Sequence, residues 1–499
     1  MCGIAGIWRR QDVDSVRTML HRLQHRGPDD EGWFDCASGT LGHRRLSIVD
    51  TEGGHQPIIN RQGSLAATVN GEIYNACTLR RALEAQHPFD TLSDSEAPLH
   101  LYAERGPDAV DQLDGMFALA IADRDELYLA RDPIGIKPLY VRETDNSITY
   151  GSELKAFGSD LDHVKEFPPG TWFRSDLGMH SYHDIQWSLP ENRSISFWCS
   201  EIRRKLDHAV KKRLMSDVPV GTFLSGGLDS SIITALAQHY LGRVHTVAVG
   251  MERSPDLEAA REVARHLGTI HHEGTFSAKD IVECLPQIIF QLESFDVDLV
   301  RSAIPCFFAS RLAAKHMKVV LSGEGADELF AGYTYHKELG HSDQLHEELG
   351  NSVRALHNMN LQRVDRMTMA HSIEGRVPFL DLDVIGLAGR IPPQLKLCGN
   401  PSVEKWILRR AFEDMLPRSI VWRAKSQFDE GSGTADFLAK KVAGMADRYG
   451  VSAEGARSTR ELEGRVYRSL FRQHFPRSAE RLVAQWRGSS VTGSRRDYA

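Results

Sequence analysis

The stretch Ser225-Gly226-Gly227-Leu228-Asp229-Ser230-Ser231 follows the apolar run Val218 to Leu224 and precedes a second apolar run with helical character, Ile232 to Leu241. A strand, a glycine turn and a helix N-terminus in that order make an anion cradle. Glycines let the backbone turn tightly so that successive N–H groups converge, and the helix start adds free N–H groups and its positive dipole end. The serines add hydroxyl donors. Asp229 would repel a bare phosphate group unless a divalent cation such as Mg2+ lies between them. The stretch therefore reads as a site for a metal-bound polyphosphate, although Gly and Ser serve an ordinary βα turn equally well.

Working outward, Lys318-Val319-Val320-Leu321 runs into Ser322-Gly323-Glu324-Gly325-Ala326-Asp327-Glu328, again a short apolar strand ending in a glycine loop, here with three carboxylates. Acidic residues also suit a plain solvated helix start. Residues 201 to 215 have helical spacing, and Val244 to Val249 reads as a further strand. Ser254-Pro255-Asp256 then opens a helix that Gly268 closes, with Ser at the cap, Pro at the first position, Asp in the first turn and Gly past the end. Strand, loop and helix in repetition predict a parallel sheet covered by helices, with ligands at the carboxyl ends of the strands. On neighbouring strands Asp229 and Asp327 would share one rim and form a natural pair for Mg2+. The absence of a G-x-x-x-x-G-K-[ST] motif argues against a kinase or P-loop ATPase.

The N-terminus is Met1-Cys2-Gly3-Ile4-Ala5-Gly6-Ile7, a strand pattern with a thiol at its start. A small second residue permits removal of the initiator Met, which leaves Cys2 with an α-amine of pKa about 7.7 to 8.0 that can accept its own thiol proton. Strand-like segments continue through Leu41 to Val49, Leu65 to Val69, Phe117 to Ala122, Leu127 to Ala130 and Ile148 to Tyr150. Helical patterns around Ala76 to Ala85 and Ala97 to Glu104 interrupt them.

A chain of 499 residues predicts two or more domains. The net charge of −7 is mild and no run of five like charges occurs, which argues against nucleic acid or a membrane surface as partner. Seven cysteines, none at C-x-x-C spacing, make neither a disulfide framework nor a zinc site. No signal-peptide pattern occurs and no stretch approaches the roughly 18 apolar residues of a membrane span. A cytoplasmic protein with reduced thiols is the expectation.

Cys2-Gly3-Ile4, Arg26-Gly27-Pro28-Asp29, Gly42-His43-Arg44-Arg45-Leu46-Ser47-Ile48, Val69-Asn70-Gly71-Glu72-Ile73-Tyr74-Asn75 and Ser93-Asp94-Ser95-Glu96 resemble the class II glutamine amidotransferase domain. That domain is an N-terminal-nucleophile fold, an αββα sandwich of two stacked sheets between helices. Ser225 to Ser231 resembles the pyrophosphate loop of the ATP-pyrophosphatase group. Ser322 to Glu328 with Phe330-Ala331-Gly332-Tyr333, together with Arg363 to Met369 and Arg376-Val377-Pro378-Phe379-Leu380-Asp381, resembles the glutamine-hydrolysing asparagine synthetases. The resemblance runs to about residue 435. It implies a glutaminase domain over 1–190 and a parallel α/β synthetase domain over 200–499, joined by a linker near 185–200. The Gly/Ser-rich and basic end, Gly488 to Arg496, is expected to be disordered.

By this resemblance Cys2 attacks the glutamine amide, and Asn70 with the Gly71 N–H forms the oxyanion hole. Leu46 and Ser47 line the glutamine site, Arg45 pairs with the α-carboxylate, and Asp94 with Glu72 holds the α-ammonium. ATP is split between its α and β phosphates. Phe223, Leu224 and Val249 flank the adenine or ribose; Ser225, Gly226, Gly227, Ser230, Ser322 and Gly323 contact the nucleotide. Asp229 and Asp327 hold Mg2+ and pyrophosphate, Lys425 neutralises charge during adenylation, and Glu324 is the base when ammonia attacks. The implied partners are L-glutamine, L-aspartate and ATP, with a homodimer as the family expectation. The segment after Lys425 reads Ser-Gln-Phe-Asp-Glu-Gly-Ser-Gly where better-known members carry Glu-Gln-Phe-Ser-Asp-Gly, and the connection from Tyr333 to Arg363 is short. Both lie near the expected acceptor site. They keep open a second acceptor class, that of an amidating or ring-closing synthetase in a natural-product pathway. Relatives that close rings without ammonia lose the cysteine or replace the glutamate, whereas Cys2 and Glu324 are both present here.

Overall fold

A computed structural model describes residues 2–340, 342–399, 402–425 and 428–484. The expectation of disorder at Gly488 to Arg496 lies outside the described residues, as do Ser426 and Gln427 of the unusual segment.

The N-terminal half is built from two antiparallel six-stranded sheets. Gly3–Trp8 lies inside the first sheet, between Gly39–Arg45 and Ser147–Gly151. Leu65–Ile73 lies inside the second, between Gly115–Asp123 and Ile58–Ile59. Every residue of Gly3–Trp8 and of Leu65–Ile73 is buried, as strands covered on both faces must be. Val13–Arg22 covers the first sheet with Val16, Met19 and Leu20, and the helices Ala76–Leu83 and Ala97–Arg105 cover the second. The result is the expected αββα sandwich, with Cys2 at the mouth of a central strand.

The C-terminal half carries one parallel sheet in the order Ile270–Thr275, His245–Gly250, Val220–Phe223, Val319–Leu321, Glu374–Arg376. The chain first builds outward from Val220–Phe223 on one side, then returns to start the other side with Val319–Leu321. That reversal opens a crevice at the carboxyl ends of these two strands. Both glycine loops lie there.

Two local readings differ from the sequence expectation. The helix read at 201 to 215 is Ile195–Lys212, starting within the stretch read as linker, because the Ser194 hydroxyl accepts the Phe197 N–H at 3.2 Å and caps it there. Ser254 does stand at the cap position of Pro255–Leu267, but its hydroxyl donates to the Gly431 carbonyl at 2.7 Å and leaves the helix end alone. It ties the phosphate-loop side of the sheet to the segment that follows Lys425.

The halves share a core. Leu46, Ile48, Met116 and Ile134 of the sandwich pack in one apolar cluster with Leu224, Leu321, Val377 and Phe379 of the parallel sheet. Among the described residues no helix is long and apolar enough to cross a membrane, and all seven cysteines are free.

Candidate active sites

In the sandwich, Cys2 is buried and its backbone N–H donates to Asn70 Oδ1 at 3.0 Å. Asn70 is oriented by its strand, and its amide Nδ2 is buried without a hydrogen-bond partner among the described residues. A donor left open beside a thiol is what an oxyanion hole requires. The neighbouring Gly71 has φ +149°, and a Cβ there would lie 1.9 Å from the Met116 carbonyl oxygen. Glycine is therefore demanded by the packing of Leu65–Ile73 on Gly115–Asp123. Burial pushes the Cys2 thiol up, so ionisation needs an adjacent base.

Arg45 donates to the carbonyls of Val49, Asp50 and Thr51 at 3.2, 2.5 and 3.3 Å. Among the described residues no carboxylate pairs with it, so its charge is available to a ligand carboxylate. Asp94 accepts the Ile73 N–H at 2.6 Å, and burial pushes its carboxyl up to about 6. Leu46 and Ser47 are buried, with the Ser47 N–H held by Asp29 at 2.8 Å. Glu72 turns toward the other half of the molecule, where its Oε2 lies 3.3 Å from Arg376 Nη2.

At the switch point, the two loops touch. A Cβ on Gly323 would lie 2.9 Å from both Asp229 Cβ and the Ser230 backbone N, so only glycine permits the approach. Ser225 Oγ and Ser230 Oγ are 3.1 Å apart, and Gly226 turns with φ +71° ahead of the helix Leu228–Leu241. A cavity of about 310 Å³ opens over these loops, lined among others by Phe223, Leu224 and Val249 and by Tyr333, Asn360 and Arg363. Ser322 is fixed by its N–H on the Arg376 carbonyl at 2.9 Å.

Asp229 and Asp327 do come together, and an ammonium stands between them. Lys405 Nζ lies 2.6 Å from Asp229 Oδ2 and 2.6 Å from Asp327 Oδ1. Lys425 Nζ lies 2.8 Å from Asp327 Oδ1. Burial alone would raise the Asp327 carboxyl, but the two lysines hold it well below the usual range. Glu324 is paired with Arg363. Glu328, which follows Asp327, is pushed up to about 7 by burial and by that neighbour, and it accepts from Tyr333 Oη at 2.6 Å and Asn360 Nδ2 at 2.9 Å.

The sequence reading missed Lys405 and Arg363 as site residues. Lys405 sits with φ +54° at the start of Trp406–Ala411, a lone lysine without a motif. Arg363 lies inside a matched stretch, and its position there was the only available signal. Arg423 was also missed: its Nη2 holds Asp256 Oδ1 at 2.9 Å across the phosphate-loop side.

Asp229 Oδ1 is buried and makes no hydrogen bond among the described residues. An open, acceptor-only carboxylate oxygen in a polyphosphate cradle fits Mg2+. Among the described residues no group of three or more His, Cys, Asp or Glu side chains could hold a metal on its own.

An αββα sandwich with a thiol leading its central strand, fused to a parallel sheet with paired glycine loops at its switch point, is the architecture of a two-domain glutamine amidotransferase. The glutamine amidotransferase domain family matches residues 1–173, and the asparagine synthase family matches 201–349 and 337–492, well past the limit near 435 read from motifs. Asparagine synthetase B [glutamine-hydrolyzing] of Escherichia coli (strain K12) is 39% identical over 510 residues, covering 95% of this chain and 92% of the relative. Asparagine synthetase [glutamine-hydrolyzing] 1 of Arabidopsis thaliana is 38% identical over 517 residues, covering 97% and 88%. Asparagine synthetase [glutamine-hydrolyzing] of Asparagus officinalis is 38% identical over 516 residues, covering 97% and 87%. The chain belongs to the glutamine-hydrolysing asparagine synthetase family.

Proposed function

We propose that this chain makes L-asparagine from L-aspartate, L-glutamine and ATP, releasing L-glutamate, AMP and pyrophosphate. The observation that carries it is the pair of centres facing one shared core: a thiol beside an open amide donor, and a twin-loop cradle with two lysines on its aspartates. Family membership favours aspartate over the carboxylate of a natural-product pathway. The family matches support division into units over 1–190 and 200–499.

In this reading the Cys2 thiolate adds to the glutamine side-chain carbonyl, and the Cys2 α-amine takes the thiol proton. Asn70 Nδ2 and the Gly71 N–H hold the oxyanion, ammonia leaves with the proton returned by the α-amine, and water hydrolyses the resulting glutamyl thioester to release glutamate and restore the thiol. Arg45 and Asp94 fix the α-carboxylate and α-ammonium of glutamine. Ammonia must stay unprotonated to act as a nucleophile, and the apolar cluster of Leu46, Ile48, Met116 and Ile134 with Leu321 and Val377 supports a dry path between the centres. In the second centre, Phe223, Leu224 and Val249 make an apolar slot for the adenine. Ser225, Gly226, Gly227, Ser230, Ser322 and Gly323 cradle the phosphates. Asp229 and Asp327 would hold Mg2+, which supplies charge neutralisation on the polyphosphate. Lys425 and Lys405 stabilise negative charge as the acceptor carboxylate displaces pyrophosphate from the α-phosphorus. Glu324 takes a proton from the attacking ammonia, and AMP leaves. Free thiols support a cytoplasmic protein, and a homodimer is the family expectation.

The deciding experiment supplies purified protein with ATP, Mg2+, glutamine and a panel of carboxylic acids, and measures AMP, pyrophosphate and amide product by mass. AMP with asparagine is the expected outcome. ADP as product would overturn the mechanism, and amidation of another acid but not aspartate would overturn the substrate.

A further inference from the structure

Arg26 opens one of the matched motifs, yet no role above uses it. Its guanidinium is wholly buried, and Nε donates to the backbone carbonyl of Cys2 at 2.9 Å. Nη1 and Nη2 make a two-pronged contact with Asp365, at 2.7 Å to Oδ2 and 3.0 Å to Oδ1. Nη1 also donates to Glu153 Oε1 at 2.6 Å. Asp365 is 339 residues further along the chain, on the helix Asn360–Met369 of the other half.

The contact is embedded in a buried network. Glu153 pairs with Lys155 at 2.5 Å, Lys155 with Glu293 at 3.1 Å, Glu293 with Arg366 at 3.1 Å, and Arg366 with Asp365 at 3.0 Å. Arg26, Lys155 and Arg366 against Glu153, Glu293 and Asp365 are three cations against three anions, with the His25 ring 2.9 Å from Glu153 Oε2 at the edge of the set. A balanced set can stay ionised out of water, whereas loss of one member leaves an uncompensated buried charge. Arg26 therefore cannot shift without disturbing its partners.

Both polar backbone groups of Cys2 are tethered, the N–H by Asn70 and the carbonyl by Arg26. With the backbone held at both ends, only the side-chain torsion remains to aim the thiol. The same helix that supplies Asp365 supplies Arg363, the partner of Glu324 in the synthetase centre.

We propose that Asp365 is a positioning residue for the glutaminase centre, contributed by the synthetase half: its bidentate grip on Arg26 fixes the Cys2 carbonyl and so aims the nucleophile. This rests on the reading of Cys2 as nucleophile. It requires the thiol of a glutaminase half lacking the helix Asn360–Met369 to be poorly aimed, and it makes one helix common to both centres.

The test uses full-length Asp365→Ala, Arg26→Lys and the double variant. Three quantities are read: ATP-free glutamine hydrolysis, the rate at which a glutamine-shaped diazoketone alkylates Cys2, and ammonia-dependent AMP formation. Asp365→Ala is expected to lower the hydrolysis kcat and the alkylation rate at least about tenfold, since small misplacements of a reacting group are costly. The KM for glutamine should stay within about threefold because Arg45 and Asp94 are untouched, and ammonia-dependent AMP formation should stay within about twofold. Arg26→Lys, which breaks the same fork with Asp365 in place, should give the same split if Asp365→Ala does not fold. The double variant should fall no further than the worse single, as residues acting through one contact do. Unchanged alkylation in the variants, losses that multiply in the double variant, or a parallel fall in ammonia-dependent synthesis would each overturn the proposal. A wild-type protein that is not alkylated at Cys2 would instead overturn the nucleophile itself.

Discussion

Lys405 Nζ lies 2.6 Å from Asp229 Oδ2, so the first glycine loop is bound to a cation that arrives 176 residues later in the chain. The same nitrogen reaches Asp327 on the second loop, so a single side chain clamps both. Without it the two carboxylates would face each other with Lys425 on one side only. Lys405→Met is expected to lower ammonia-dependent pyrophosphate release by about 10²- to 10³-fold, the range for losing one charge-stabilising donor in a desolvated site. Glutamine hydrolysis should persist at wild-type rate. Parallel assays of pyrophosphate and glutamate check this; equal losses in both would mean that Lys405 holds the fold rather than the chemistry.

Glu324 and Arg363 form another ion pair of the cavity. The guanidinium fixes this carboxylate within the cavity, and a positioned carboxylate is the group that can take a proton from attacking ammonia. Glu324→Gln is expected to reduce amide formation by about 10²- to 10⁴-fold while glutamine hydrolysis continues. ATP should still be split to pyrophosphate and the acyl-adenylate, which water then opens to AMP and the free acid, because adenylation does not need this base. Detecting AMP without asparagine by mass would support the role, and normal asparagine yield would exclude it.

Much of this arrangement is legible from the chain, and the remainder is hidden for identifiable reasons. Strands buried on both faces, such as Val319–Leu321, announce themselves as apolar runs, and glycines at forced approaches such as Gly71 and Gly323 stand inside motifs. The edge strands Ile270–Thr275 and Glu374–Arg376 escape because polar residues fill them: the first is partly exposed, and the second buries its charges in ion pairs. Lys405 escapes because its value depends wholly on where the fold brings it. Glu72 is plain in its motif, whereas its pairing with Arg376 depends on how the halves dock.

Asn70 should separate binding from chemistry in the sandwich. Its Oδ1 holds the Cys2 N–H, while its Nδ2 is open to a developing oxyanion. Asn70→Ala is expected to cut the glutaminase kcat by about 10²- to 10³-fold with a much smaller change in KM. Cys2→Ala should abolish glutamine use and leave ammonium salts able to support synthesis. Steady-state assays with each nitrogen source distinguish the two; a Cys2→Ala protein that loses both activities would sink the two-centre scheme.

Glu328 supplies a pH test of stability that is independent of turnover. Its carboxyl is pushed from 4.5 up to about 7, by burial first and by the Asp327 charge second. An acid whose folded pKa is raised binds its proton more tightly in the native state. The native state is therefore favoured below about pH 4.5, and stability is lost as pH rises toward 7, by on the order of 3 kcal/mol in all. Gln in its place keeps a carbonyl oxygen for Tyr333 Oη and Asn360 Nδ2 and carries no proton to lose. Glu328→Gln should thus melt close to wild type at pH 5 and above it at pH 8, with the gap opening through pH 5 to 7. Thermal unfolding of both proteins across that range decides it, and a gap independent of pH would mean that Glu328 is already ionised in the folded protein.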